Sequence, residues 1–221
     1  MSEEEYDYRI LEECDCEVIT AFMVKHFVGE EPISTHLQLS PEEGEMLFGP
    51  YVKNALWQKV SIGVYDKATG ELVGIRINFL GENQDKLQPL PYNMKEAPLN
   101  VQQFDQILIY LFGTDMAKSL GTSNYMELFL VAVRQDYGKK GITTELYKRS
   151  EKIARSRGID ILPVACTSAY TLKTTTKLGW KAQKQVNYAD YVDPLTNKNI
   201  LENMKKPHVV LTVLNKSLKY D

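Results

Sequence analysis

The feature that most limits the fold is a run of elements between Tyr125 and Trp180. The stretch "YMELFLVAV" is apolar almost throughout, as a strand buried on both faces must be. The turn "YGKKGIT" follows, then "ITTELYKRSEKIARSRG". There Ile142, Leu146, Ile153 and Ala154 fall near one helical face, and Gly158 stops the helix. "DILPVACT" is a second buried strand, and "SAYTLKTTTKLGW" a short helix ending at Gly179. Two buried strands joined by one helix pair in parallel through a right-handed crossover. A mixed α/β (α+β) architecture built on this βαβ unit is therefore expected.

The flanks add antiparallel pairing. "YDYRILEE" alternates as a first strand, and "VSIGVYDKATGELVGIRINFLG" is a hairpin turning at "DKATGE". "KAQKQVNYADYV" and "PHVVLTVLNKSL" are two late strands joined by a polar loop. The helices are expected at "EVITAFMVKHFVG", at "SPEEGEMLFGPYVKNALWQ" with Ser40 as cap and Pro41 at its first position, and at "NVQQFDQILIYLFGTDMAKSLG". Gly49-Pro50 should break or kink the second, and "EEPIST" should be a turn. Residues 81–98 hold several prolines and no period, so they read as a long loop and a candidate lid. The expected sheet is mixed, mostly antiparallel and flanked by helices.

With 221 residues and no linker or repeat, the chain fits one domain, residues 1–221. Hydrophobic residues make up 43% and charged residues 25%, the balance of a soluble globular protein. A net charge of -3 argues against a nucleic-acid partner. No signal peptide or bilayer-length apolar run is present, so a cytoplasmic monomer without a membrane partner is expected. Three cysteines (Cys14, Cys16 and Cys166) and three histidines show no ligand spacing, and no metal is expected.

The glycine turn is neither a triphosphate loop nor G-x-G-x-x-G. It still has the parts of an anion site. A helix start offers free N–H groups and a positive dipole end. Gly138 and Gly141 permit close approach and positive φ, and Lys139 and Lys140 add charge. An ordinary βα turn without a ligand explains the same residues, and both readings stand at this point.

The strand "LFLVAV", the turn "YGKKGI", a helix, a strand and then "Y-x-x-x-x-x-x-LGW" together resemble the cofactor-binding half of the GCN5-related N-acetyltransferase (GNAT) superfamily, over about residues 124–182. Against the superfamily turn Arg/Gln-x-x-Gly-x-Gly/Ala, this chain reads Gly138, Lys139, Lys140, Gly141, Ile142, Thr143, keeping the central glycine and replacing the first and last positions. "VGEEPIST" and "CTSAYT" resemble segments of the insect arylalkylamine (dopamine-type) N-acetyltransferases.

The resemblance implies acetyl-CoA as co-substrate. Its pyrophosphate would lie at Gly138 to Thr143, and its pantetheine arm along the backbone of Val131, Ala132 and Val133. It implies Glu31 as general base, with Thr167 and Thr171 as hydroxyls at the thiolate and Ser168 and Tyr170 as rivals. Alone, Glu31 reads as one more exposed turn acid, though repulsion from Glu30 could raise its pKa.

The implied acceptor is a small arylalkylamine of the dopamine, tyramine or serotonin class. The pocket elements fall at about 15–60 and 81–98. Glu30, Glu31, Glu42, Glu43 and Glu45 would draw an ammonium ion, and Phe27, Met46, Phe48, Tyr51 and Trp57 could wall the pocket. A polyamine or protein-lysine acceptor, and a non-catalytic acetyl-CoA binder, stay open.

Overall fold

The computed structural model describes residues 5–113 and 115–219. Strand β1 (Tyr6–Ile10) precedes helix α1 (Cys16–Met23), which continues into a wider π-helical turn over Val24–Val28. Then come α2 (Pro32–His36), α3 (Pro41–Leu56), β2 (Ile62–Asp66) and β3 (Leu72–Leu80). Helices α4 (Leu99–Phe112) and α5 (Met116–Leu120) lead to β4 (Met126–Val133), α6 (Ile142–Ser156) and β5 (Ile161–Cys166). Helix α7 (Ala169–Lys177), β6 (Lys181–Asn187) and β7 (Val210–Ser217) complete the chain.

The strands form two antiparallel sheets, ordered β1-β2-β3-β4 and β5-β7-β6. The expected parallel pairing of β4 with β5 shrinks to one bridge, Tyr125 with Ile161. Beyond it the strands part, so the mixed sheet is split at its middle. β3 is buried along nearly its whole length, between an α1, α3 and α4 layer on one face and α6 on the other. Ile75, Ile77 and Phe79 belong to the first core, which includes Phe48 and Phe104. The α6 side holds a second core around Tyr147, Leu162 and Trp180.

Three local expectations are corrected. "EEPIST" turns only at Glu30 and Glu31; the extended φ of -68° and ψ of 128° at Glu31 lead into α2 with Pro32 at its first position. Gly49-Pro50 does not break α3, which Ser40 and Glu43 start as a reciprocal capping box. Proline removes the N–H that would bond to the carbonyl of Met46. The Tyr92 hydroxyl donates to that carbonyl instead, at 3.0 Å, and the helix runs on. The helix expected over 100–121 is two, because Gly113 takes a φ of 76° that ends α4.

Candidate active site

A cleft of about 860 Å³ opens where β4 and β5 part. Its volume suits an extended small-molecule ligand. One half lies between the start of α6, β5 and α7. The other lies among the end of α1, α3 and α4. Of the residues singled out in the sequence for catalysis or cofactor binding, all but Lys140 line it.

In the first half, Gly141 precedes α6 with a φ of 78° and leaves the helix without a side-chain cap. The N–H groups of Ile142, Thr143 and Thr144 begin the helix and so have no intrahelical acceptor. All three residues line the cleft. Positive φ, expected at both glycines, falls on Gly141 and on Lys139, at 61°. Gly138 is extended, and its requirement is space: a Cβ there would stand 2.9 Å from the Gln135 carbonyl oxygen. Lys139 lines the cleft, whereas Lys140 lays its Nζ 4.3 Å from the centre of the Tyr137 ring. The Tyr137 hydroxyl donates to Asp66 Oδ2 at 2.7 Å and ties the turn to the β2–β3 hairpin.

Glu31 is 5% exposed, so it is not a surface acid. Its Oε2 accepts from the Ser34 amide at 2.6 Å and the Ser34 hydroxyl at 2.8 Å. Its Oε1 is buried without a well-formed hydrogen bond, although the Thr167 hydroxyl lies close enough to favour the charged form. Burial pushes the carboxyl above its ordinary value, opposed by Ser34, Thr167 and the Ile33 amide. Repulsion from Glu30 is not among the causes, which corrects the sequence reading.

The segment "CTSAYT" joins β5 to α7. Ser168 caps α7, its hydroxyl accepting from the Tyr170 amide at 3.2 Å. The Thr171 hydroxyl donates to the Ser168 carbonyl at 2.9 Å, so its proton is already engaged. Tyr170 is 67% exposed and sets its ring edge against His208. The Thr167 carbonyl accepts from the Tyr188 hydroxyl at 2.5 Å, which holds Thr167 beside Glu31. Cys166 is sealed in the core, with its thiol pushed up by burial.

The second half is walled differently from the expectation. Phe27 and Phe48 line it, while Met46, Tyr51 and Trp57 do not. Phe104, Leu108 and Phe112 from α4 and Phe129 from β4 take their place. Phe48 stands edge-on to Phe27 and Phe104 at centroid distances of 5.3 and 5.2 Å. α4 is tethered by Gln103, whose Nε2 donates to the buried Asp193 carboxylate at 2.9 Å. Of the five acids expected near the mouth, only Glu30 and Glu31 line the cleft. Glu43 is spent on the α3 cap and on Asn100. No residue of 81–98 lines the cleft; Gln88 bonds to Asn54 through its N–H and carbonyl, and Tyr92 to Met46, fastening this loop along α3.

His26, Arg76 and His208 also face the cleft. Burial lowers the pKa of both histidines, and His208 Nδ1 accepts from the Ala169 amide at 3.2 Å. The sequence motifs do not reach these residues: Arg76 and His208 lie far along the chain from those they meet, although Arg76 stands out inside an apolar strand. Among the described residues no group of His, Cys, Asp and Glu side chains could hold a metal, and no helix is long and apolar enough to cross a membrane.

A split between two sheets, with a glycine turn and uncapped helix on one side of the gap, defines the GNAT acetyltransferase fold. Residues 102–179 match the model of the Acetyltransferase (GNAT) family. The matched segment is about a third of the chain; the fold around it, from β1 to β7, is similar to that of the insect arylalkylamine N-acetyltransferases. It superposes on the C-terminal condensation domain of Ebony, captured with beta-alanyl-dopamine, with a TM-score of 0.81 at 13% identity over 97% of this chain and 99% of that one. Drosophila melanogaster polyamine N-acetyltransferase, which forms N-acetylagmatine, gives 0.75 at 16% identity over 97% and 100%. Arylalkylamine N-acetyltransferase 2 from Aedes aegypti gives 0.75 at 18% identity over 96% and 98%.

Proposed function

We propose that the protein transfers the acetyl group of acetyl-CoA to the primary amine of a small arylalkylamine, by direct attack in a ternary complex. The observation that carries this reading is Glu31: a buried carboxylate whose second oxygen has no well-formed hydrogen bond, in the same cleft as the uncapped start of α6. An arylalkylamine arrives as an ammonium ion and must lose a proton before it can attack. A carboxyl raised by burial takes that proton, directly or through water, more readily than an ordinary glutamate.

In the steps that follow, the amine nitrogen bonds to the thioester carbonyl carbon and the carbonyl oxygen gains the electron pair. An N–H of Val131 to Val133 stabilises that oxyanion. The carbonyl re-forms as the carbon–sulfur bond breaks; the nitrogen gives up the extra proton it gained by attacking, and the departing thiolate takes one up. Thr167, held beside Glu31, is better placed to pass a proton than Thr171, whose hydroxyl serves the Ser168 carbonyl. The α6 start, with Lys139, takes the pyrophosphate. The phenylalanines of α3, α4 and β4 receive the aryl group, and Glu30 at the mouth draws the ammonium ion.

The protein should release thiol from acetyl-CoA when given dopamine, tyramine or serotonin. Its kcat/KM should favour these over agmatine and over a histone-tail peptide. Preference for agmatine would assign the second half to aliphatic dications. Preference for the peptide would refute the small-amine reading. Binding of acetyl-CoA without turnover of any amine would make the protein a non-catalytic binder.

A further inference from the structure

The second half of the cleft sorts polar from apolar surface by position. Glu30, Glu31 and Thr167 gather where the amine is placed. His26 lies toward Arg134 and Asp136, at the other half. Away from the acids the wall is carbon: Phe27 and Phe48, then Phe104, Leu108 and Phe112 of α4, with Phe129 of β4. Phe104, Leu108 and Phe112 recur every fourth residue, so they stand in a row along one helix face. At about 1.5 Å per residue the row is about 12 Å long, which is more than an arylethyl group needs. Phe129 is held between Tyr51 and Phe79, at centroid distances of 5.1 and 5.5 Å.

The polar groups around this wall are turned elsewhere and bonded. Asn100 donates to Glu43 at 2.8 Å, Gln103 to Asp193 at 2.9 Å and Asn54 to the Gln88 carbonyl at 2.9 Å. The end of α4 beside Phe112 is occupied as well. The Ile109 carbonyl accepts from the Gly113 amide, the Tyr110 carbonyl from Lys184 Nζ and the Phe112 carbonyl from the Ser119 hydroxyl. Asp105, the one acid of α4, lies near Tyr51 and Tyr92 and does not line the cleft.

A hydroxyl on an aryl ring must give up its water to enter such a place, and a polar group buried without a partner is costly. A bare ring loses nothing polar and gains the burial of its carbon surface. We infer that the acceptor carries an unhydroxylated aryl group, so that the site prefers phenethylamine and tryptamine to tyramine, dopamine and serotonin. The inference narrows the proposed function and rests on it.

The test is thiol release from acetyl-CoA by the full chain with two matched pairs of amines, phenethylamine against tyramine and tryptamine against serotonin. The members of a pair differ by one ring hydroxyl and share the same aminoethyl chain. The wild-type kcat/KM should be about ten- to a hundredfold higher for the unhydroxylated member of each pair. The difference should lie in KM, because the ring is held alike before and during the reaction. Leu108→Asn puts a hydrogen-bonding amide into the middle of the row and should narrow both ratios several-fold. Unchanged ratios in a folded Leu108→Asn protein would overturn the placement of the ring along α4. Equal or higher wild-type kcat/KM for tyramine and serotonin would overturn the inference whether or not the variant folds, and would leave the arylalkylamine reading standing. A preference for dopamine that Asp105→Asn abolishes would also overturn it, by giving the ring hydroxyls an acceptor on α4. Turnover of agmatine but of no arylalkylamine would refute the proposed function and this inference together.

Discussion

Glu127→Gln should remove a pH-dependent penalty from the fold. Glu127 lies on β4, in register with Phe79 of β3, and is 8% exposed. Burial raises its carboxyl from 4.5 to about 7, against the attraction of Arg76. The folded protein therefore keeps this proton between those values, where the unfolded chain has lost it. The stabilising effect is complete below 4.5 and disappears as pH rises through about 7. The difference of about 2.5, at about 1.4 kcal/mol for each pKa unit, gives about 3 kcal/mol. Glutamine has no proton to lose, so its curve lacks this slope. Urea denaturation of both proteins from about pH 4.5 to about pH 8 should show the variant gaining about 3 kcal/mol relative to wild type across the range. Parallel stability curves would refute the reasoning, because they would mean that Glu127 titrates in the folded protein as it does in the unfolded chain.

Glu31→Gln should lower turnover by on the order of a hundredfold while leaving acetyl-CoA affinity near wild type; full activity in this variant with loss in Glu30→Gln would move the base by one residue. In the wild type, the acid limb of the kcat/KM profile should lie above the ordinary carboxylate range, because burial raises Glu31, and it should vanish in the variant. Gly141→Val forces a β-branched residue to a φ of 78° at the proposed pyrophosphate site, so calorimetry should show severely weakened acetyl-CoA binding. Tyr92→Phe orphans the Met46 carbonyl beside Pro50 and should cost about 1–2 kcal/mol of unfolding free energy with no change in acetyl-CoA affinity.

The strands, the hairpin and the α6 crossover were legible because their patterns are local. Alternation marks β2 and β3, and unbroken apolarity marks β4. The glycine turn was also legible, since only a few residue types suit a bare helix start. What failed was decided by distant partners. Pro50 reads as a break until the Tyr92 hydroxyl, far along the chain, takes the carbonyl it frees. Glu31 reads as a surface acid until the cleft closes over it, and the resemblance of "GEEPI" to a family segment was the one signal that distinguished it. Met46, Tyr51 and Trp57 read as walls by nearness in sequence, whereas α4 and Phe129 complete the wall that Phe27 and Phe48 begin. The excess of apolar residues in "FDQILIYLF", more than one packed face needs, was a usable hint. Arg76, inside an otherwise apolar strand, was the plainest unread signal.

The single bridge between Tyr125 and Ile161 has a further meaning. Past it, β4 and β5 are two strand edges that look at each other across a gap. An exposed edge on the rim of a protein is an adhesive surface that invites stray chains to pair. Here the edges are turned inward, where a second polypeptide cannot fit and a slender molecule with its own amide groups can. Under the proposed function, the same unpaired backbone that elsewhere must be guarded with charge or proline becomes a two-sided ruler for one thread-like guest. Amide exchange at Val131 and Val133, whose N–H groups turn away from β3, should be faster than at Ala132, which pairs with Ile75, and should slow sharply when acetyl-CoA is added.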